Sequence, residues 1–281
     1  MEHIFREWIS SIAQIQKGEL ISIDGKTIRG AKEHGKKSLI HMVSAWASSN
    51  SLILGQLKTN EKSNEITAIP ELLESLFIED CIISIDAMGC QKDIVKKIRS
   101  KNAAYILAVK GNQKILEQGI EDSFRFLKVA DFNETLDFGH GRVETRKCSV
   151  ITNLEHIENK ADWVDIKSII KIETNRYNKA QKTNQEAVRF YISNLDIDAS
   201  IFQNHIRSHW GIENNLHWML DVAFNEDASR KRAGNSAQNF SIINKIALMM
   251  IKKDTSIKGS VATKRLNAGW NQGFLKSLLG F

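Results

Sequence analysis

The sequence predicts a mixed α/β fold, a five-stranded sheet with helices that is interrupted by a β-rich insertion. Three observations predict it. Between residues 20 and 127, short β-branched runs alternate with stretches of helical period. Two of those runs stop at an aspartate, Asp24 and Asp86. From His140 to Leu195 the texture turns extended, β-branched and aromatic, and helical periodicity resumes at about Ala199.

The first strand is Leu20-Ile21-Ser22-Ile23-Asp24, closed by Asp24-Gly25, a pair that favours turns. Residues 38–46 and 51–57, separated by Ser48, Ser49 and Asn50, form a hairpin pair and bring the antiparallel strands to three. Residues 63–77 carry apolar side chains at Ile66, Ile69, Leu72, Leu73, Leu76 and Phe77, a helical period with Pro70 in its early part. The fourth strand, residues 81–85, is apolar and again meets an aspartate, Asp86, which has no strong turn role before Ala87-Met88-Gly89. A helix over 91–100 and a fifth strand over 103–109 follow; Lys110-Gly111-Asn112-Gln113 then turns into a helical stretch to about Leu127.

In the insertion, residues 142–150 alternate, 168–173 are β-branched, and 188–192 are aromatic and β-branched. Helical period then runs from Ala199 through Leu220, with Ile206, Trp210, Leu216 and Leu220 as buried candidates, and a last helix spans 236–253. Three strands, a helix, a strand, a helix and a strand form the element order of the RNase H-like fold. In that fold strands one and four lie side by side, so carboxylates near their ends meet at one edge of the sheet.

Composition narrows the function. At 281 residues the chain exceeds one typical domain of ~100 to 200 residues, and 42% apolar with 26% charged residues is enough to bury a sizeable core. The longest apolar stretch, 242–251, is interrupted by Asn244 and Lys245 and is far shorter than the ~20 residues that span a bilayer, so no membrane segment is expected. The first ten residues, with Glu2, Arg6, Glu7 and Trp8, lack the order of a secretory signal, so a cytoplasmic protein is expected. Cys81, Cys90 and Cys148 fit neither a disulfide framework nor a zinc ribbon and are expected reduced, mostly in the core. Residues 229–281 hold ten Lys or Arg and one Asp, a local +9 against a chain total of +6, so the rest is net negative. A basic tail on a mildly acidic body suits a protein that touches polyanions and holds divalent cations, and equally suits a solvated basic face.

Phosphodiester cleavage without a covalent intermediate needs charge stabilised on both the attacking and the leaving oxygen, and two magnesium ions ~3.5 to 4 Å apart do this. Such ions take hard oxygen ligands, so about three carboxylates must converge. Asp24 and Asp86 are two candidates, and Glu213, on the helix after the insertion, is the third. Spacing alone certifies none of them, because the chain has 33 acidic residues.

Local context is more specific. Ile23-Asp24-Gly25-Lys26, Ser84-Ile85-Asp86-Ala87, Val109-Lys110-Gly111-Asn112-Gln113 and His209-Trp210-Gly211-Ile212-Glu213-Asn214-Asn215-Leu216-His217-Trp218 resemble blocks of the DDE insertion-sequence transposases, the H-repeat-associated group most closely. His140-Gly141-Arg142-Val143-Glu144-Thr145-Arg146 and Leu220-Asp221-Val222-Ala223-Phe224-Asn225-Glu226-Asp227 are further family-like blocks. The resemblance covers residues from about 19 to 278. It implies a transposase that cleaves transposon ends and transfers strands into target DNA, with two Mg2+ or Mn2+ ions held by Asp24, Asp86 and Glu213. Its partners would be the terminal inverted repeats, target DNA and a second copy of the chain when bound to DNA. The alternatives are a purely hydrolytic nuclease of the same fold and a truncated, inactive DNA-binding remnant.

Two departures qualify the resemblance. Relatives often carry an arginine four residues before the glutamate and a lysine several after it; here His209 and Met219 or Leu220 stand there. Relatives usually begin with a helical segment of many tens of residues, and residues 1–18 are expected to be its remnant. The core is then 19–128 and 199–253, the insertion 129–198, and 254–281 a basic tail.

The side chains assigned to DNA are Lys26, Lys110, Asn112, Arg142, Arg146, Arg207, His209, His217, Arg230, Lys231 and Arg232. Each has a plainer reading. Lys110 to Gln113 also suits a helix entry loop, and Arg142 with Arg146 a solvated strand face. Asp221 and Asp227 suit structural roles as well as metal binding. His209, Glu213 and His217 recur every four residues on one helical face, which leaves a transition-metal site open, although the zincin spacing is not met. Trp210 and Trp218 suit the core or base stacking.

Overall fold

A computed structural model describes residues 1–30, 40–59, 65–139, 141–231 and 233–281. In chain order the helices are α1 (Glu2–Ile12), α2 (Glu65–Glu74), α3 (Lys92–Ser100), α4 (Lys114–Phe126), α5 (Ala199–His209), α6 (Trp218–Phe224), α7 (Ser236–Lys253), α8 (Val261–Trp270) and α9 (Gln272–Leu279). The strands are β1 (Leu20–Ile28), β2 (Ile40–Ala47), β3 (Leu52–Lys58), β4 (Ile82–Ile85), β5 (Ala104–Val109), β6 (Asp131–Gly139), β7 (Arg142–Ile151), β8 (Ser168–Asn178) and β9 (Thr183–Ser193). They form a mixed α/β protein of two compact units, Met1–Phe77 with Trp210–Phe281, and Ile78–His209.

In the first unit β1, β2 and β3 form an antiparallel meander, with Asp24 opposite Ser44 and Ser44 opposite Gln56. The first strand does not end at Asp24, as the Asp-Gly pair suggests; it runs on to Ile28. Gly25 leaves room for the paired His41 and Glu65 side chains, whose Nε2 and Oε1 lie 2.5 Å apart and which a Cβ there would displace. A glycine within a strand marks such a close approach. Helices α1 and α2 pack on β3, α2 also on β2. Ile21, Ile23, Val43, Ala45, Ile53 and Leu73 are fully buried.

The last 28 residues, the expected basic tail, carry two helices. Ser260 Oγ accepts from Thr263 N to start α8, Asn271 Oδ1 accepts from Phe274 N to start α9, and the two helices pack on each other and on α7. Between Gly211 and α6 the backbone adopts a π-helical turn, Ile212–His217. The uninterrupted α period expected from Ala199 to Leu220 is therefore broken.

In the second unit the strand order is β4-β5-β9-β8-β7-β6, with β4 and β5 parallel and the others antiparallel. The β-rich segment thus continues one sheet, because β9 pairs with β5 through Ile106 to Val109. Helix α3 packs on β5, and α5 on β4, β6 and β7. Cys81, Cys90 and Cys148 are free and buried, and no described helix is long and apolar enough to cross a membrane.

Candidate active site

Strand alternation puts Ser22, Asp24 and Lys26 on one face of the first unit's sheet, beside their partners Trp46, Ser44 and Met42. The π-helical turn packs against β1. Within it His217, 9% exposed, holds Nδ1 3.3 Å from Asp24 Oδ2, while its buried Nε2 has no hydrogen-bond partner among the described residues. Glu213 stands four residues earlier in the same turn. Single π turns within helices occur frequently at functional sites. Lys252 of α7 ties this one down: its Nζ donates to the Asn215 carbonyl at 2.8 Å and lies 4.9 Å from the centre of the Trp46 ring. Burial pulls the Lys252 ammonium down to about 8.

Lys26 is the second anchor. Its side chain is 10% exposed, and Nζ lies 2.6 Å from Asp221, 3.1 Å from Asp227 and 3.8 Å from the buried Glu226. Burial lowers its pKa, but the Asp221 hydrogen bond and the charges of Glu226 and Asp227 outweigh that and leave it raised. Lys26 is thus enclosed by carboxylates, and Asp221 and Asp227 serve as its partners. Just beyond β1, Gly30 approaches the Asp227 and Ser229 carbonyls so closely that a Cβ would lie 2.6 Å from each. Strand β1 and the turn after α6 are locked together at two points.

In the second unit Asp86 follows β4 directly. No strong turn role is expected of it from the sequence, yet its Oδ1 caps the 3-10 turn Ala87–Gly89, accepting from Met88 N at 3.1 Å and Gly89 N at 3.4 Å. Asn112 and Gln113 hold that turn from the other side, donating to the Ala87 carbonyl at 2.8 Å and the Cys90 carbonyl at 2.9 Å. Two residues before Asp86, buried Ser84 Oγ meets His209 Nδ1 at 2.8 Å, which fixes the end of α5 to β4. Cys90 is pushed up to about 12, first by burial and then by the charge of Asp86.

A family profile described as "Transposase DDE domain" matches residues 15–250. The chain belongs to the DDE transposase family. It is 45% identical over 99% of its length to the "Putative transposase YncI" of Escherichia coli O157:H7, of which it covers 73%. It is 39% identical over 98% of its length to the "H repeat-associated putative transposase YhhI" of Escherichia coli (strain K12), of which it covers 75%. A solved piggyBac transposase synaptic complex with hairpin DNA shares 12% identity at a TM-score of 0.49, over 94% of this chain and 54% of that one, a likeness too slight to carry any chemistry.

Of the other residues expected to meet DNA, Lys110 and Arg142 are exposed. Arg146, 15% exposed, pairs with Glu144 at 2.6 Å, and Arg207 pairs with Asp137 at 2.6 Å. Arg230 and Lys231 are exposed, the Lys231 ammonium 3.6 Å from the centre of the Phe240 ring; Arg232 lies outside the described residues. Among the described residues no three His, Cys, Asp or Glu side chains form a ready-made metal nest. Asp24 and Glu213 in the first unit, and Asp86 in the second, each offer oxygen alone, the donor type that a hard cation takes.

Sequence reasoning missed Lys245. It is fully buried on α7 and donates from Nζ to Ser44 Oγ at 2.7 Å and to Gln56 Oε1 at 2.6 Å, on the sheet face that carries Asp24. Burial draws its pKa down to about 8, against ~10.4 in an unfolded chain. Between those values the unfolded state keeps a proton that the folded state has shed, so stability rises with pH across that window, by ~3 kcal/mol at most. Below pH 8 the buried charge is a standing cost. Lys252 titrates in the same window and must be left in place. Chemical denaturation of wild type and Lys245→Met from pH 7.5 to 10 should show wild type gaining on the variant as pH rises. A constant difference would mean that Lys245 titrates as it does in water.

Proposed function

We propose that this chain is the catalytic part of a DDE transposase with an RNase H-like core, which cleaves DNA at element ends and joins the freed 3′ ends to target DNA. The observation that carries this reading is the π-helical turn of Glu213 and His217 packed on the strand of Asp24, in a chain of the DDE family. Two further features support the core: the β1-β2-β3 meander and the parallel β4-β5 pair, in the chain order that the fold requires. In this reading residues 129–198 are the insertion, and Asp24, Asp86 and Glu213 are the ligands of Mg2+ or Mn2+. For Asp86 the support is the family pattern and its place at the end of β4.

A divalent pair bound there supplies Lewis acidity to the attacking and leaving oxygens of an in-line displacement. The chain's own residues position. His217 holds the Asp24 carboxylate, Lys252 fixes the π-helical turn just after Glu213 and Lys26 the segment from Asp221 to Asp227, and Asn112 and Gln113 fix the turn after Asp86. Exposed Lys110, Arg142, Arg230 and Lys231 are available to DNA phosphates, which set register without reading sequence.

The test uses a pre-cleaved element end with a free 3′-hydroxyl, supercoiled target and magnesium. Joined product is expected. Hydrolysis without joining would establish the nuclease alternative. Salt-dependent DNA binding with neither nicking nor joining would establish the inactive remnant.

A further inference from the structure

Strand β6 lies at the end of the second unit's sheet order, and its two faces differ sharply. Every odd-numbered side chain from 131 to 137 is engaged by α5. Asp131 Oδ2 accepts from Ala199 N at 2.6 Å, Asn133 Nδ2 donates to Gln203 Oε1 at 3.2 Å, Thr135 Oγ1 accepts from Gln203 Nε2 at 2.6 Å, and Asp137 Oδ2 accepts from Arg207 at 2.6 Å. The even-numbered face holds Phe132, Leu136 and Phe138, which are 52%, 53% and 70% exposed. Three large apolar side chains on an edge strand of nine residues form the kind of edge that soluble proteins usually protect.

The backbone gives the register. Phe132 N donates to the Asp131 carboxylate at 2.8 Å, so that N–H is turned away from β7. Alternation then directs the backbone groups of 132, 134, 136 and 138 to the open edge. We propose that β6 pairs antiparallel with β6 of a second copy of this chain, about a two-fold axis at Thr135. In that register Phe132 faces Phe138 on the same side of the sheet, twice, and Glu134 faces Leu136. Asn133 faces Asp137, and Asp131 faces Gly139. No carboxylate stands opposite a carboxylate, and Glu134 already has Lys147 of β7 at 3.8 Å. Neighbouring registers are poorer. A shift of the axis to residue 134 opposes Glu134 to itself, and a shift to 136 sets Phe138 against Glu134 and shortens the ladder. Slips by one residue mismatch the outward-facing groups. The self-complementary pattern selects a second copy of the same strand, and an isologous contact closes as a dimer.

The contact requires neither DNA nor divalent ions, so its failure is separable from failure of the proposed chemistry. Light scattering on the eluting full chain at tens of micromolar, without either, should give twice the 31.8 kDa monomer mass. The double variant Phe132→Glu with Phe138→Glu should be monomeric, and so should Phe132→Lys with Phe138→Lys. Mixing the two should restore the dimer, because each Glu then faces a Lys. As a guard against misfolding, Phe132→Cys with Phe138→Cys should oxidise to a covalent dimer, whereas each single variant should not. A monomeric wild type, a dimeric Glu variant, or single variants that cross-link as well as the pair would overturn the proposal. So would a Glu variant of unchanged mass with weakened DNA binding, which would make this face a DNA contact.

Discussion

Replacing Asp86 by asparagine is expected to lower magnesium-dependent nicking by ~10³-fold or more while leaving DNA affinity nearly unchanged. A carboxylate that holds a catalytic cation supports several kcal/mol of transition-state stabilisation, and each 1.36 kcal/mol is a factor of about ten in rate. Asparagine is the sharper variant because it keeps an oxygen to cap the turn through Met88 N and Gly89 N. Alanine should lose nicking too, together with ~1 kcal/mol of local stability from the missing cap. Nicking and salt-dependent binding measured on one sample separate the cases. Near-normal nicking by Asp86→Asn, or joint loss of nicking and binding, would remove Asp86 from the site.

Lys26→Met should destabilise the first unit by ~3 to 5 kcal/mol, the usual consequence of breaking a buried ion pair from one side. Glu226 is 2% exposed and already has one oxygen without a hydrogen-bond partner, so removal of the ammonium leaves its charge uncompensated beside Asp221 and Asp227. Denaturant midpoints at pH 7 measure this effect. A variant as stable as the parent at pH 7 would show that the cluster is hydrated and Lys26 dispensable, which would free it for the DNA role that sequence reasoning assigned.

Much of the architecture was legible because its signals are local. The boundaries of β4, β5 and α7 follow from apolar runs that end where the structure ends them, and α7 spans the predicted 236–253. Misreadings arose where tertiary contacts override local preference. Asp24-Gly25 has the chemistry of a turn, but the pairing of Lys26 and Thr27 with Met42 and His41 keeps the strand going. Strand β6 escaped notice because its apolar residues point outward. The terminal helices carried readable caps in Ser260 and Asn271 that a count of basic charge passed over. Asp24, Glu213 and His217 could be named from family blocks; the Lys26 clamp and buried Lys245 could not, because partners about 200 residues apart leave no pattern in either neighbourhood.

The π-helical turn has one more consequence. An α-helix turns 100° per residue, so excision of Asn214 would let the segment return towards ordinary winding and would leave three residue steps instead of four between Glu213 and His217, turning one relative to the other by roughly a few tens of degrees. Such a deletion leaves the side chains of Asp24, Glu213 and His217 intact and still changes how the last two are set against β1. At this bend the number of residues is specified as tightly as their identity.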